Sequence, residues 1–300
     1  MSAIEVVGGG FDGLVRAVEE VRRGGRVTYI EPRLRAGGAF ATESFLSPFR
    51  FNLGHTLVLR PPLPSLDMLA PETLVRVGNA TLERTPLQLT PAGSVSATLD
   101  ASGVDGDRRT LLTAFALLLG IDPATSTSGA ALADTCARMD ELVLVAGGNG
   151  LAAACLIDEI VAAGSHVVEG AGPVDVPAAP HTGLGICRLF VGLRRARAGR
   201  ETLATAHGFA DEPSLYARLD ALRGGDVGEP LGFDVSNAHL DASAVDSTLS
   251  SLVWQGVLPF GATVPRATYA AAVLDRLDIA ERDVIFQLLW LPEDTAEPLR

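Results

Sequence analysis

The amino-acid sequence predicts an α/β fold in which a doubly wound parallel sheet is interleaved with an α+β domain. Residues 3–31 read as a strand, a glycine turn, an amphipathic helix and a second strand. A second glycine turn at 147–150 precedes another helix and a strand, over 151–163 and 166–169. Between these two segments the chain carries many prolines and short apolar runs, which are typical of small antiparallel strands. The chain therefore returns to its α/β part after an insertion.

The remaining elements follow from periodicity and from helix stop signals. Asp107 is a plausible N-cap and Gly120 a stop for a helix between them, and β-branched runs indicate strands at 73–77 and 95–99. Further helices are predicted at 126–138, 212–223 and 266–277, and further strands at 186–193, 231–236, 249–258 and 284–290.

Composition limits the classes of function. The chain has 300 residues, of which 47% are hydrophobic and 20% charged, so it can bury one large core or two interleaved ones. Its net charge of −12 disfavours nucleic acid and anionic membranes as partners. Every basic residue is Arg, which excludes a Schiff-base lysine and a P-loop lysine. A mean hydropathy of +0.27 favours an apolar ligand cavity or a buried interface in a homo- or hetero-oligomer.

Neither a membrane span nor a metal site is predicted. The apolar run at 111–121 is shorter than the roughly 20 residues that cross a bilayer, and the stretch 142–157 is interrupted by glycines. The N-terminus enters an apolar strand directly, without a leader pattern, so a cytoplasmic location is expected. The three cysteines are widely spaced, which indicates reduced thiols rather than a disulfide or a metal cluster.

The strongest motif is a glycine turn followed, one helix later, by an acid. Gly8, Gly10 and Gly13 form a GxGxxG pattern between a strand and a helix, and Glu31 ends the next strand. In a Rossmann-like dinucleotide site, the first glycine permits the turn, the second lets the backbone approach the pyrophosphate and the third lets helix and strand pack closely. The helix N-terminus supplies amide donors. An acid at position 31 would bond ribose hydroxyls, which favours FAD or NAD over NADP.

The next segment resembles a known family. The stretch EPRLRAGGAFATESFLSPFRFNLGHT is similar to the second signature of FAD-dependent flavoproteins of the carotenoid (phytoene) desaturase and amine oxidase superfamily. The resemblance implies FAD as the cofactor, with NAD as the less favoured choice. It also implies that a Gly-Gly pair approaches the flavin, an arginine faces the phosphates and a glycine marks the turn beside the isoalloxazine. These residues are Gly37 and Gly38, Arg33 or Arg35, and Gly54.

A second block supports the same resemblance. The stretch VAGGNGLAAACLIDEIVAAGSHVVEGAGPVDV is similar to a family segment in which a glycine turn leads a helix and then a strand whose valine contacts the adenine. Val174 or Val168 would be that valine. The family organisation implies a nucleotide-binding domain over 1–58 and 140–182, and a substrate or interface domain over 59–139 and 183–300.

The sequence also departs from the family pattern. Ala39 stands where the family has an arginine, Asn52 where it has an acid, and His55 where it has a proline. A strand that completes the nucleotide sheet, and a C-terminal segment whose amides reach the flavin, are not found. The C-terminal part of the nucleotide fold is therefore expected to be incomplete. His55 is the tentative catalytic residue, since a histidine beside the flavin would suit proton transfer; capping a turn is the alternative role.

Two functional hypotheses follow. The first is an FAD-binding oxidoreductase, similar to desaturases and dehydrogenases, that passes hydride from a hydrophobic or peptide-like small substrate to the flavin N5. The second is a catalytically degenerate subunit or accessory protein that needs a partner flavoprotein chain to complete its site. Few catalytic side chains are expected in the first case, because the cofactor carries the redox chemistry. His166, His181, His207 and His239 are interpreted as surface or core residues.

Overall fold

The structure is a computed structural model of the chain. It describes residues 4–8, 10–31, 40–54, 56–61, 63, 66–170, 183–194, 202–241, 249–295 and 299. The strands are β1 (Ile4–Val7), β2 (Val27–Glu31), β3 (Thr42–Leu46), β4 (Phe49–Asn52), β5 (Val58–Leu59), β6 (Met68–Leu69), β7 (Thr73–Val77), β8 (Ala80–Glu83), β9 (Leu142–Val145), β10 (His166–Glu169), β11 (Leu184–Leu193), β12 (Thr202–His207), β13 (Gly232–Ser236), β14 (Ser250–Pro259) and β15 (Val284–Trp290). The helices are α1 (Gly10–Arg22), α2 (Val95–Ala101), α3 (Gly106–Leu118), α4 (Ser128–Ala137), α5 (Asn149–Ala162), α6 (Glu212–Arg223), α7 (Ala238–Asp241), α8 (Arg266–Arg276) and α9 (Pro292–Thr295), with 3₁₀ turns at Met139–Glu141 and Glu281–Asp283.

The chain forms two compact units, each built from several segments. The first unit comprises Met1–Ala70, Val143–Val176 and His239–Ala244. The second comprises Pro71–Leu142, Pro177–Ala238 and Val245–Arg300. The interleaving arises because the chain leaves the first unit three times, after residues 70, 176 and 244, and returns to it twice.

A three-stranded parallel sheet organises the first unit. Its order is β1-β2-β10, with β2 in the centre. Val6 pairs with Tyr29 on one side of β2, and Val167 pairs with Tyr29 on the other. Parallel neighbours place the carboxyl ends of all three strands at one edge of the sheet. Glu31 lies at this edge, beside Glu169 of β10.

Helices α1 and α5 pack against this sheet and form the core of the first unit. Leu14, Ala17 and Val18 of α1 are fully buried, as are Leu156 and Ile160 of α5. These residues recur at helical spacing and form one continuous apolar face. They belong to a single hydrophobic cluster that also includes side chains of the central strand β2.

An ion pair on the surface joins the two helices at their C-terminal halves. Arg22 of α1 donates two hydrogen bonds to the carboxylate of Glu159 in α5, at 2.6 and 2.8 Å. The contact lowers the pKa of the Glu159 carboxyl and raises that of the Arg22 guanidinium. Both side chains are a third or more exposed, so the pair contributes less to stability than the apolar core does.

Two smaller sheets complete the first unit. β3 and β4 form an antiparallel hairpin in which Thr42 pairs with Asn52. β9 lies between β5 and β6. Every residue of β9 is buried, which is expected for a short central strand with apolar side chains on both faces.

The second unit contains a seven-stranded mixed sheet. Its order is β15-β11-β14-β13-β12-β7-β8. All ten residues of β11 are buried, so this strand is central rather than half-exposed. β12 and β7 are parallel, and the other neighbouring pairs are antiparallel. Helix α3, which is buried from Thr110 to Leu118, packs against β7 and β8.

Most elements lie where periodicity predicts them, but two predictions are wrong. The N-cap of α3 is Asp105 rather than Asp107, which lies in the first turn of the helix. Helix α6 and strand β15 begin and end at the predicted residues, and α8 and β14 do so within one residue. The β-branched run at 95–99, predicted as a strand, is instead part of helix α2. Ser94 caps this helix, because its side chain accepts a hydrogen bond from the Ala97 amide at 3.2 Å. The cap and the burial of Val95 override the local strand propensity.

Within the described part of the chain, no helix is both long enough and apolar enough to cross a membrane.

Candidate functional site

The candidate site begins at the turn between β1 and α1. Gly8 and Gly10 both have positive φ, at 61° and 54°, a conformation that side chains other than glycine rarely adopt. The Gly8 amide donates to the Ile30 carbonyl oxygen at 2.8 Å, which extends the pairing of β1 with β2 into the turn. Helix α1 starts at Gly10, so its first amides point out of the turn. A helix N-terminus in this position attracts anions.

Gly13 is the contact point between helix and turn. A Cβ atom at this position would overlap the carbonyl oxygen of Gly8 and lie 3.0 Å from the ring of Tyr29. The absence of a side chain is therefore what allows α1 to lie against the end of β1. This is the close packing that the third glycine of the motif was expected to permit.

Tyr29 links the acid at the end of β2 to the glycine turn. Its hydroxyl donates to Glu31 Oε2 at 2.7 Å and lies 3.0 Å from the carbonyl oxygen of Gly10. Tyr29 is fully buried and Glu31 is only 2% exposed. One phenol thus holds the carboxylate and the first helical residue of α1 in a fixed relation.

The other predicted cofactor residues are only partly within the described structure. Gly54 is buried two residues after β4 ends. Val168 lies in β10 opposite Ile30 of the acid-bearing strand and is 38% exposed. The remaining predictions lie outside the described residues: Arg33, Arg35, Gly37, Gly38, Val174 and the tentative catalytic residue His55.

At the second glycine turn, the protein itself caps the helix that follows. Asn52 Oδ1 accepts a hydrogen bond from the Asn149 amide at 2.9 Å, and Thr42 Oγ1 accepts one from the Gly150 amide at 2.9 Å. The Thr42 hydroxyl in turn donates to Asn52 Oδ1 at 2.8 Å. Hairpin β3–β4 therefore satisfies the first two amides of α5.

The packing around the second turn is equally close. A Cβ atom at Gly148 would overlap the Thr42 side chain and lie 2.9 Å from Leu240. At Gly150 it would lie 2.8 Å from the Thr42 backbone nitrogen. These glycines admit the hairpin to the N-terminus of α5. The first two amides of α5 are thus already bonded within the protein.

His239 extends this polar contact into the interior. Asn52 Nδ2 lies 3.1 Å from His239 Nε2, and because an amide nitrogen can only donate, Nε2 accepts. Burial lowers the pKa of His239 to about 4, so the ring is neutral at pH 7 and its proton is on Nδ1. His239 is 4% exposed, and among the described residues no group accepts a hydrogen bond from Nδ1.

Sequence reasoning missed three of these residues for different reasons. Tyr29 reads as an ordinary apolar strand residue, although a tyrosine two positions before a strand-end acid lies on the same face as that acid. Thr42 and His239 have no local signal, since they meet Asn52 and α5 only through long-range packing. Asn52 departs from the acid of the family pattern, and in the structure it caps helix α5.

Comparisons with known proteins show a shared fold. No protein-family model matches the chain, and no curated protein matches it in sequence. An oxidoreductase from Methanosarcina mazei is structurally similar with a TM-score of 0.59 and 12% identity, covering 99% of this chain and 89% of the other. A reduced UDP-galactopyranose mutase has a TM-score of 0.59 and 9% identity, covering 97% and 81%. Cyclohexylamine oxidase from Brevibacterium oxydans has a TM-score of 0.54 and 13% identity, covering 99% and 88%.

These likenesses extend over nearly the whole chain although the identities are low. The predicted fold class, a Rossmann-like α/β sheet interleaved with a second part, is confirmed. In its fold, this chain is similar to an oxidoreductase, a UDP-galactopyranose mutase and a cyclohexylamine oxidase.

Proposed function

We propose that this chain is an FAD-binding oxidoreductase that acts on a hydrophobic or peptide-like small substrate. The observation that carries the proposal is the first glycine turn with its acid. Two glycines of positive φ, a third that admits close helix packing, and a buried carboxylate beside them are the parts that a dinucleotide site needs. The residues present therefore fit the ADP half of FAD.

The roles of the residues follow from this fit. The amides at the start of α1 would bind the pyrophosphate, and Glu31 would accept hydrogen bonds from the ribose hydroxyls. Arg33 or Arg35, with Gly37 and Gly38, would hold the rest of the cofactor, and Gly54 would lie beside the flavin ring. Val174 or Val168 would contact the adenine. When bound, the flavin supplies the redox chemistry by taking up hydride at N5.

We further propose that the first unit is the nucleotide-binding domain and the second the substrate domain. The parallel sheet and the glycine turn of the first unit support this division. We also propose a cytoplasmic location. The free thiols of Cys136, Cys155 and Cys187 support it, because thiols stay reduced in that compartment.

The experiment is an absorbance spectrum of the purified protein, followed by heat release and identification of any bound nucleotide. We expect flavin bands and release of FAD. The Glu31→Ala variant should lose nucleotide affinity, whereas Glu169→Ala, which removes the exposed acid in register with it on β10, should retain it. Undiminished binding by Glu31→Ala would refute the proposed site, and failure of wild-type protein to take up added FAD would refute the cofactor.

A second candidate function is a subunit that needs a partner chain, either as a hetero-oligomer with a flavoprotein or as a homo-oligomer. The observation that favours it is the outer edge of β1. The Ile4 amide donates to the Arg26 carbonyl oxygen, just before β2, and the Gly8 amide to that of Ile30, at 2.8 Å each. The alternate residues Glu5 and Val7 therefore direct their backbone groups away from β2. No described strand pairs with that side.

The surroundings of this edge also fit strand addition. Ile4 is 43% and Val7 61% exposed, and a groove of about 500 Å³ runs along β1 beside α1. Exposed strand edges with apolar side chains invite another strand. A Val7→Lys substitution should abolish any assembly seen by light scattering, whereas Val161→Lys, at a similarly exposed valine of α5, should not. A monomer with full flavin occupancy would contradict this second candidate.

A further inference from the structure

Tyr29 lies between the two parts of the proposed nucleotide site. The Tyr29 side chain is fully buried and packs against α1. A Cβ atom at Gly13 of this helix would lie only 3.0 Å from the Tyr29 ring. Its hydroxyl is within hydrogen-bond distance of both Glu31 Oε2, at 2.7 Å, and the Gly10 carbonyl oxygen, at 3.0 Å. The Tyr29 hydroxyl therefore contacts both the glycine turn and the acid.

The Tyr29 hydroxyl has a single proton, so only one of the two neighbouring oxygen atoms can be its main acceptor. A tyrosine has one proton to donate, and an ionised carboxylate is a stronger acceptor than an amide carbonyl. The shorter distance to Glu31 agrees with donation to the carboxylate, with the Gly10 oxygen as the weaker second acceptor. The bond fixes one oxygen of Glu31 and thereby the direction in which the other points.

We propose that Tyr29 is a positioning residue for nucleotide recognition: its hydroxyl fixes the Glu31 carboxylate so that this acid can receive the hydroxyls of the adenosine ribose. The inference rests on the proposed nucleotide site and adds a residue to it. Because the hydroxyl also reaches Gly10, it couples the position of the acid to that of the phosphate-binding turn. The glycine turn and Glu31 would therefore act together in binding a nucleotide whose ribose has both hydroxyls free.

A purely structural role predicts a different pattern of binding. If Tyr29 only supports the fold, its hydroxyl should matter equally for every nucleotide that uses the glycine turn. If it positions Glu31, the hydroxyl should matter only for nucleotides that have ribose hydroxyls. ADP and 2′,3′-dideoxy-ADP make this distinction, since both carry the adenine and the pyrophosphate.

The experiment is calorimetric titration of wild-type protein and of the Tyr29→Phe, Glu31→Gln and doubly substituted variants with both nucleotides. We expect Tyr29→Phe to weaken ADP binding about tenfold, the size of one hydrogen bond to a charged group, and to leave dideoxy-ADP binding unchanged. The double variant should bind ADP no more weakly than Glu31→Gln alone, because the two residues act as one unit.

A matched control removes a buried hydroxyl elsewhere. Tyr269 of α8 is 4% exposed and its hydroxyl lies 3.7 Å from Cys187 Sγ in the second unit, so Tyr269→Phe should leave both affinities unchanged. Thermal melting of each variant shows whether it is folded. Equal weakening of both nucleotides by Tyr29→Phe would overturn the inference while leaving the nucleotide site intact. Wild-type protein that binds neither nucleotide would overturn the site itself.

Discussion

At the scale of single residues, Gly13 shows how the lack of a side chain builds a site. Gly13→Ala would place a Cβ atom against the Gly8 carbonyl and the Tyr29 ring. The backbone would have to shift, and we expect the free energy of unfolding to fall by about 2 kcal/mol, the usual cost of overpacking. Urea denaturation measures this loss.

The control for this substitution is Gly93→Ala. A Cβ at Gly93 would have only the Ser126 carbonyl oxygen nearby, at 3.6 Å, which is an ordinary contact. The control variant should keep its stability within about 0.5 kcal/mol. Equal stability of the Gly13 and Gly93 variants would contradict the packing described for α1.

His239 makes the stability of the protein depend on pH. Its pKa in the folded state is about 4, lowered by burial, against 6.5 when unfolded. Between these values the unfolded chain binds more protons, so stability is present above pH 6.5 and is lost as the pH falls toward 4. The shift corresponds to about 3 kcal/mol. Denaturant titrations at several pH values test it.

A comparison of variants separates His239 from the carboxylates that also titrate in acid. His239→Gln should remove most of the pH dependence between 6.5 and 4. His166→Gln, at an exposed position of β10, should retain it. A His239→Gln variant whose stability falls as steeply as that of the wild type would show that another group is responsible.

At the scale of elements, the N-terminus of α5 depends on hairpin β3–β4. Asn52→Ala would leave the buried Asn149 amide and the Thr42 hydroxyl without their common acceptor. An unsatisfied buried donor costs about 1–3 kcal/mol, so we expect a loss of about 2 kcal/mol and faster amide exchange at Asn149. Thr42→Ser keeps the hydroxyl that accepts from Gly150 and should preserve most of the stability. Unchanged exchange in Asn52→Ala would contradict this capping.

Local sequence patterns predicted the bounds of a helix well where an N-cap residue precedes it and a glycine ends it. Helix α6 begins after Asp211, whose side chain accepts from the Ser214 amide at 2.8 Å, and ends at Gly224. Both signals are readable in the sequence. The run at 95–99 was mispredicted because the cap at Ser94 and the burial of the helix outweigh the preference of single residues. Short β12 has no strong alternation and was not predicted; its pairing with β7 and β13 defines it.

The residues of the candidate site also fall into two groups, those that a local pattern reveals and those that only the complete fold brings together. The glycine turn and Glu31 are visible in the sequence because they lie within one βαβ unit of about 30 residues. The capping of α5 is not visible, since Asn52 and Asn149 are 97 positions apart. Pairwise contacts at such separations follow from the complete fold rather than from any local pattern.

At the scale of the whole molecule, a bound dinucleotide should stabilise the two units unequally. Anything that binds only the folded state adds about 2.7 kcal/mol when its concentration is a hundred times its Kd. With FAD present, hydrogen exchange should slow most in peptides covering β1, α1 and β2. Peptides covering β14 serve as the internal reference. Protection confined to the second unit would contradict the proposed location of the nucleotide.

The three-part construction of the first unit has a consequence for the order of events during synthesis. β1, α1 and β2 leave the ribosome well before β10, which pairs with β2 and follows about 135 residues later, and before His239, which follows later still. Long-range closures of this kind are slow, because chain entropy opposes them until the last partner arrives. The apolar face of the nascent βαβ segment is therefore uncovered during this interval, and transiently exposed apolar surface of this kind is prone to aggregate and is what chaperones protect.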